Sequence, residues 1–223
     1  MFKHIHPHKP IFFDDTKAFI CGTLPPPRFS TGEIKEDDVF IPYGSRDGML
    51  WPVINRVYDL GLEYQNNQQE ITKRMEFLQK AKLGICDIVD SCTREKIDAS
   101  DIGMKNVKLR NILGFIKQYQ SIETIILTGS SSNNSPLYFL KKILKDNKIK
   151  IETIKEEIPK EYQFIYDNRT ITVVALTSPS NAANRFIGSN ELYKRKKSLD
   201  KSYNTFDFRV EQYKKVFLKY LEY

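Results

Sequence analysis

The chain is short of histidine, and what it has lies at one end: His4, His6 and His8, with none in the rest of the 223 residues. Three histidines in a terminal tail read as a frayed basic end. Chemistry in the body of the chain then rests on carboxylates, amides and hydroxyls, unless the N-terminus folds back over the site. Cysteine is also sparse. Cys21, Cys86 and Cys92 cannot all pair, which excludes a disulfide framework and points to a reducing, cytoplasmic setting. No histidine lies near Cys86 or Cys92, so neither a zinc site nor a four-cysteine iron–sulfur cluster can be built. No metal and no cofactor is expected. No apolar run approaches the ~20 residues of a membrane span, and no apolar h-region of a secretory signal opens the chain. Internal repeats and low-complexity tracts are missing too.

What is present is a globular composition, 40% hydrophobic and 12% aromatic, with a net charge of +7. A basic balance favours polyanionic partners, nucleic acid first, and a monomer is expected.

The chain is organised around Phe19 to Pro27. Ala18 to Cys21 reads as a buried strand, Gly22 breaks it, and Pro25, Pro26 and Pro27 stiffen the exit. Prolines carry no backbone N–H, so this is not a phosphate loop but a rigid wall for a flat group. Residues 1–17 read as an arm at one edge, and 28–47 as a long polar loop. Helices are predicted over 49–59, 68–80, 105–119, 136–146 and 206–221, with Phe206, Val210, Tyr213, Phe217 and Leu221 as the buried face of the last. Ser132 or Asn133 is the expected cap of the 136–146 helix. Strands are predicted at 123–127, 149–154, 162–166 and 170–176, and 83–90 is a short buried segment carrying two acids. Strands alternating with helices predict a three-layer α/β/α sandwich with a mostly parallel central sheet. One domain spans 1–223, with a basic insertion at about 185–202. Gly22-Thr23-Leu24-Pro25 and Thr177-Ser178-Pro179-Ser180 are similar strand exits, and at one sheet edge they would form a pincer across a cleft.

Six short motifs carry a resemblance, in order. They are Gly22-Thr23-Leu24-Pro25; Trp51 opening a helix; Leu83 to Val89 with Cys92, Arg94 and Asp98; Asn106; Leu127-Thr128-Gly129; and Thr177 to Ser180. Over roughly 16–182 the chain resembles the uracil-DNA glycosylase superfamily, closest to the hypoxanthine-DNA and mismatch-specific uracil glycosylase branches. The resemblance implies a monofunctional DNA glycosylase of base excision repair. Such an enzyme flips a damaged or modified base out of DNA and hydrolyses its N-glycosidic bond, leaving an abasic site. It implies a catalytic carboxylate at Asp47, one residue further from Trp51 than the family's Asn, or at Asp87; capping is the structural alternative for both. It implies base binding by Gly22, Thr23, Leu24 and Pro25, an aromatic face from Phe40 or Tyr43, and an amide from Asn106, which could equally cap a helix. Ser178, Pro179, Ser180 and Asn181 match the family's minor-groove loop, and Asn181, Asn184, Arg185 or Phe186 would be the wedge. Arg185, Lys194, Arg195 and Lys196 of the insertion are candidate phosphate contacts. Two other functions fit the sequence. One is the same chemistry on a bulky modified base of phage DNA, in antiviral defence. The other is a catalytically inactive nucleic-acid-binding module.

Overall fold

The computed structural model describes residues 1–98, 100–130 and 133–223. In chain order the first elements are β1 (Phe2–Ile5), β2 (Ala18–Cys21), α1 (Pro27–Thr31), α2 (Leu50–Tyr58), α3 (Gln68–Lys80), β3 (Leu83–Ile85) and β4 (Val89–Arg94). Then come β5 (Lys105–Leu109), α4 (Ile112–Gln118), β6 (Thr124–Leu127), α5 (Pro136–Asp146), β7 (Ile151–Lys155), β8 (Lys160–Tyr166) and β9 (Arg169–Ala175). Helices α6 (Asn184–Ser189), α7 (Glu191–Leu199) and α8 (Thr205–Tyr220) close the chain.

A six-stranded sheet in the order β3-β2-β6-β9-β8-β7 forms the middle layer. Its first four strands are parallel; β8 turns back antiparallel through a hairpin with β9, and β7 pairs antiparallel with β8 at the edge. Asp167 and Asn168 make that turn with φ of 53° and 57°, the left-handed pair that two-residue hairpins require. The strands are apolar on both faces because helices cover both. Phe19, Cys21, Ile125, Leu127, Val173 and Ala175 pack towards α4 and α5. Ala18, Ile20, Ile126 and Val174 point the other way, towards α2, α3 and α8. The expected α/β/α sandwich with a mostly parallel sheet is the fold observed. None of the described helices is long and apolar enough to cross a membrane.

Several local expectations change. The N-terminus is not frayed. β1 pairs antiparallel with β4, which pairs with β5, in a second, three-stranded sheet. His4 is fully buried there, its Nδ1 accepting from Arg94 Nε at 3.0 Å. The helix expected over 105–119 divides: 105–109 pairs with β4, and only Ile112 onward is helical, capped by Asn111. The apolar residues Ile112, Leu113 and Ile116 had lent helical spacing to a strand in front of them. Ser135, not Asn133, caps α5, accepting from the Tyr138 amide at 3.3 Å; Ser132 lies outside the described residues.

The segment 28–47, expected as a loop throughout, begins inside α1, and its polar part is gathered around Asp38. Arg28 grips the buried Asp38 with two N–H donors at 2.6 and 2.8 Å, and the amides of Lys35 and Arg46 each add one at 2.9 Å. Burial works against the Asp38 charge, but these donors hold its carboxyl down at about 2. The basic insertion is helical, with Asn190 capping α7.

Candidate active site

Parallel strands β2, β6 and β9 end side by side, so the loops that follow them meet at one edge of the sheet. Residues 22–26 and 178–180 line the same slot there, of about 200 Å³. The loops are joined through a third: the Met49 amide donates to the Pro179 carbonyl at 2.8 Å. The pincer expected from the two proline exits is therefore present. Leu24, Pro25 and Pro26 form one wall and Tyr43 another.

Three carboxylates line the slot: Asp47, Asp87 and Asp101. Asp87 is buried and saturated with donors. Oδ1 accepts from the Gly22 amide and the Tyr43 hydroxyl, both at 2.9 Å, and Oδ2 accepts from His6 Nε2 at 2.9 Å. His6 Nδ1 accepts the His8 amide at 3.1 Å, which places the ring proton on Nε2. Burial alone would push the Asp87 carboxyl up; the His6 hydrogen bond, then Tyr43 and Gly22, hold it below its ordinary value. Asp87 does not cap a helix. It is a fixed negative charge at the slot's floor, and the arm that was read as a tail supplies one of its donors.

Gly22 is required by this packing. A Cβ there would lie 2.2 Å from the Tyr43 hydroxyl and 2.9 Å from both Asp87 Oδ1 and Thr128 Oγ1. Tyr43 adopts a left-handed φ of 60° and also meets Thr128 Oγ1 at 3.1 Å. Strain at a non-glycine residue is stored where surrounding contacts enforce it.

Asp47 stands at the mouth, its side chain 50% exposed. It is no helix cap: it bonds Lys35 Nζ at 2.9 Å and Arg28 at 3.2 Å. The Lys35 hydrogen bond is the main reason its carboxyl lies below the ordinary value.

Asp101 is not singled out by the sequence, where it is one of two acids in 98–101. The fold brings it to the slot beside Thr23, whose hydroxyl donates to it at 2.7 Å. Burial pushes its carboxyl up to about 6; the Thr23 bond and Arg94 oppose, and Asp87 adds to the rise. Two neighbouring carboxyls thus have affinities for the proton pushed in opposite directions, the usual arrangement for dividing acid and base work.

No family model, curated protein or solved structure matches the chain.

Of the residues expected to bind a base, Gly22, Thr23, Leu24, Pro25 and Tyr43 line the slot. Asn106 does not. It is exposed on β5 with a φ of 49°, bonded to Thr93 Oγ1 at 3.0 Å, neither at the slot nor capping a helix. Phe40 is also elsewhere, stacked on Phe29 and packed at a tilt against His8. Ser178, Pro179 and Ser180 line the slot. Asn181 follows in a short turn, and Arg185 is exposed on α6. Lys194 pairs with Glu191 at 2.7 Å, Lys196 pairs with Glu211, and Arg195 is exposed.

The 177–180 loop is held from below by one face of α8. Gln212 accepts the Thr177 amide at 2.8 Å, and the Tyr213 hydroxyl donates to the Thr177 carbonyl at 2.8 Å. Arg209 donates to the carbonyls of Ser178 at 3.1 Å and Ser180 at 2.7 Å. Positions 209, 212 and 213 share a face at helical spacing. The expected apolar face of this helix packs on the core, Tyr213 and Phe217 fully buried and Phe206, Val210 and Leu221 in part, and Arg209 and Gln212 widen it as buried polar members. All three cysteines are free and buried, and burial raises the thiols of Cys21 and Cys86, leaving them unreactive. Among the described residues no cluster of three or more His, Cys, Asp or Glu is placed to hold a metal.

Proposed function

We propose that the chain is a DNA glycosylase of the uracil-DNA glycosylase superfamily, acting on a base flipped out of the helix. The observation that carries this reading is the slot itself. Two proline-stiffened strand exits, remote in sequence, close on a cavity sized for one flat ring and lined by three carboxylates. The order of the motifs along the chain, from Gly22-Thr23 to Ser178-Pro179-Ser180, supports it, as does the net charge of +7.

The chemistry follows from the carboxylates. The C1′–N bond breaks and its electron pair leaves on the base, while positive charge grows on the sugar. Asp87, held ionised by three donors, stabilises that cation. Asp101 gives the departing base a proton. Asp47, at the mouth, orients the water whose oxygen bonds C1′ and takes its proton on to solvent. A weak base suffices there, because the sugar cation is a strong electrophile. Ser178 and Ser180 pinch the backbone beside the flipped nucleotide, and Arg209 keeps their carbonyls turned inward.

The test is base release and abasic-site formation on duplex and single-stranded oligonucleotides bearing uracil, hypoxanthine or a modified cytosine. Release that falls at least a hundredfold in Asp87→Asn and Asp47→Ala, with DNA binding kept within a few fold, supports the reading. Absence of release from every substrate rejects it in favour of a binding module.

A further inference from the structure

Beside the slot lies a second cavity of about 640 Å³. Asp101, Thr128, Ser178 and Ser180 belong to the walls of both, so the two spaces share a doorway. A plain base needs only the first. The second falls in the range of about 300–1,000 Å³ that holds whole small ligands.

Its lining states what it accepts. Ile102, Ile158, Leu176 and Phe186 give it an apolar surface. Hydroxyls are interspersed, among them Ser100, Ser130 and Thr177. No lysine, arginine or histidine is among its described lining residues, and its one charged group is Asp101 at the doorway. A phosphate would meet a carboxylate and no cation, which argues against a flanking nucleotide's backbone. Thr177 is only 6% exposed and its hydroxyl has no hydrogen-bond partner. An unpaired buried hydroxyl is costly, and a ligand hydroxyl arriving in this chamber would relieve it. The Asp101 carboxyl keeps an accepting oxygen whether or not it carries its proton, and so suits a hydroxyl donor in the doorway.

Resting on the glycosylase reading, we propose that the second chamber receives a neutral, hydroxyl-bearing substituent carried by the flipped base. The substrate class is then an enlarged base rather than a simply deaminated one. The ring enters the slot between Pro25 and Tyr43, and the substituent passes the Asp101–Ser178 doorway into the chamber. The bond broken is unchanged, so no further reactant is needed.

The experiment compares release rates from oligonucleotides carrying uracil, 5-hydroxymethylcytosine, or 5-hydroxymethylcytosine bearing a neutral hexose on its hydroxymethyl group. The hexose-bearing base is expected to be released at least tenfold faster than uracil. Ala182→Trp, an exposed position on the chamber wall, is expected to lower the hexose-to-uracil ratio at least tenfold. Thr177→Val, close to isosteric, is expected to lower it severalfold and guards against misfolding of the bulkier variant. Release of uracil but not of the hexose-bearing base, or a ratio that neither variant changes, overturns the chamber proposal and leaves the glycosylase reading standing. No release from any of the three, nor from hypoxanthine, overturns both.

Discussion

His6 Nε2 donates to Asp87 Oδ2 across 2.9 Å, a buried contact between the N-terminal arm and the loop after β3. It makes the arm a working part of the site. His6→Ala removes one of three donors, so the Asp87 carboxyl is expected to rise towards its ordinary value and base release to fall about ten- to hundredfold. His6→Gln, which can still donate an N–H, should recover part of the rate. An NMR titration of Asp87 in the two variants separates lost orientation from a general loss of fold.

Gly22→Ala is expected to be far worse than its single methyl suggests. The added carbon would lie 2.2 Å from the Tyr43 hydroxyl, so Tyr43 or the Gly22 strand exit must shift. Overpacking of this kind costs about 1–3 kcal/mol. Denaturant unfolding should show that loss, and base release should disappear while the sheet, read by far-UV circular dichroism, persists.

Asp101→Asn should separate stability from activity. In the folded protein the Asp101 carboxyl holds its proton up to about 6, against an ordinary 3.8. A carboxyl with a raised folded value stabilises most below pH 4, and that contribution is lost as pH rises through about 6. The amide carries no charge to bury, so the variant is expected to be more stable than the parent at pH 7.5, by about 1–2 kcal/mol after solvent screening. The change in stability between pH 4 and 6 should flatten. Base release should fall at least tenfold and lose its dependence on pH near 6. Unchanged activity would remove Asp101 from the mechanism.

Asp38→Asn tests the tie of the 28–47 loop. The folded value of about 2 lies below the ordinary 3.8, so its contribution is present above pH 4 and lost as pH falls towards 2. The variant should lose about 2 kcal/mol at neutral pH and little at pH 2, read by thermal unfolding across that range.

On the insertion, Lys194 and Lys196 already face Glu191 and Glu211. Arg185 and Arg195 have no carboxylate within 4 Å among the described residues and are exposed. If they hold phosphates, Arg185→Ala and Arg195→Ala should each reduce the salt slope of DNA binding by about 0.9. Lys194→Ala and Lys196→Ala should change it less, as seen in binding isotherms from 50 to 200 mM salt.

The sequence determined the layers. Runs of strand length that are mostly apolar, at 18–21, 124–127 and 171–176, separated by helical spacing, point to a covered parallel sheet, because a strand buried on both faces is apolar along most of its length. It also determined the two exits, since proline and glycine act through local backbone geometry. Register and remote contact were decided only by the tertiary structure. Residues 105–109 became a strand because β4 offers them a partner, and Asn106 went with them to the outer face. His6 reached Asp87 because β1 pairs with β4. Asp101 became distinct from neighbouring acids through burial and the nearness of Asp87. Local sequence fixes dihedral preference and apolar period; the protonation and partners of a side chain depend on which distant groups the fold brings within a few ångströms.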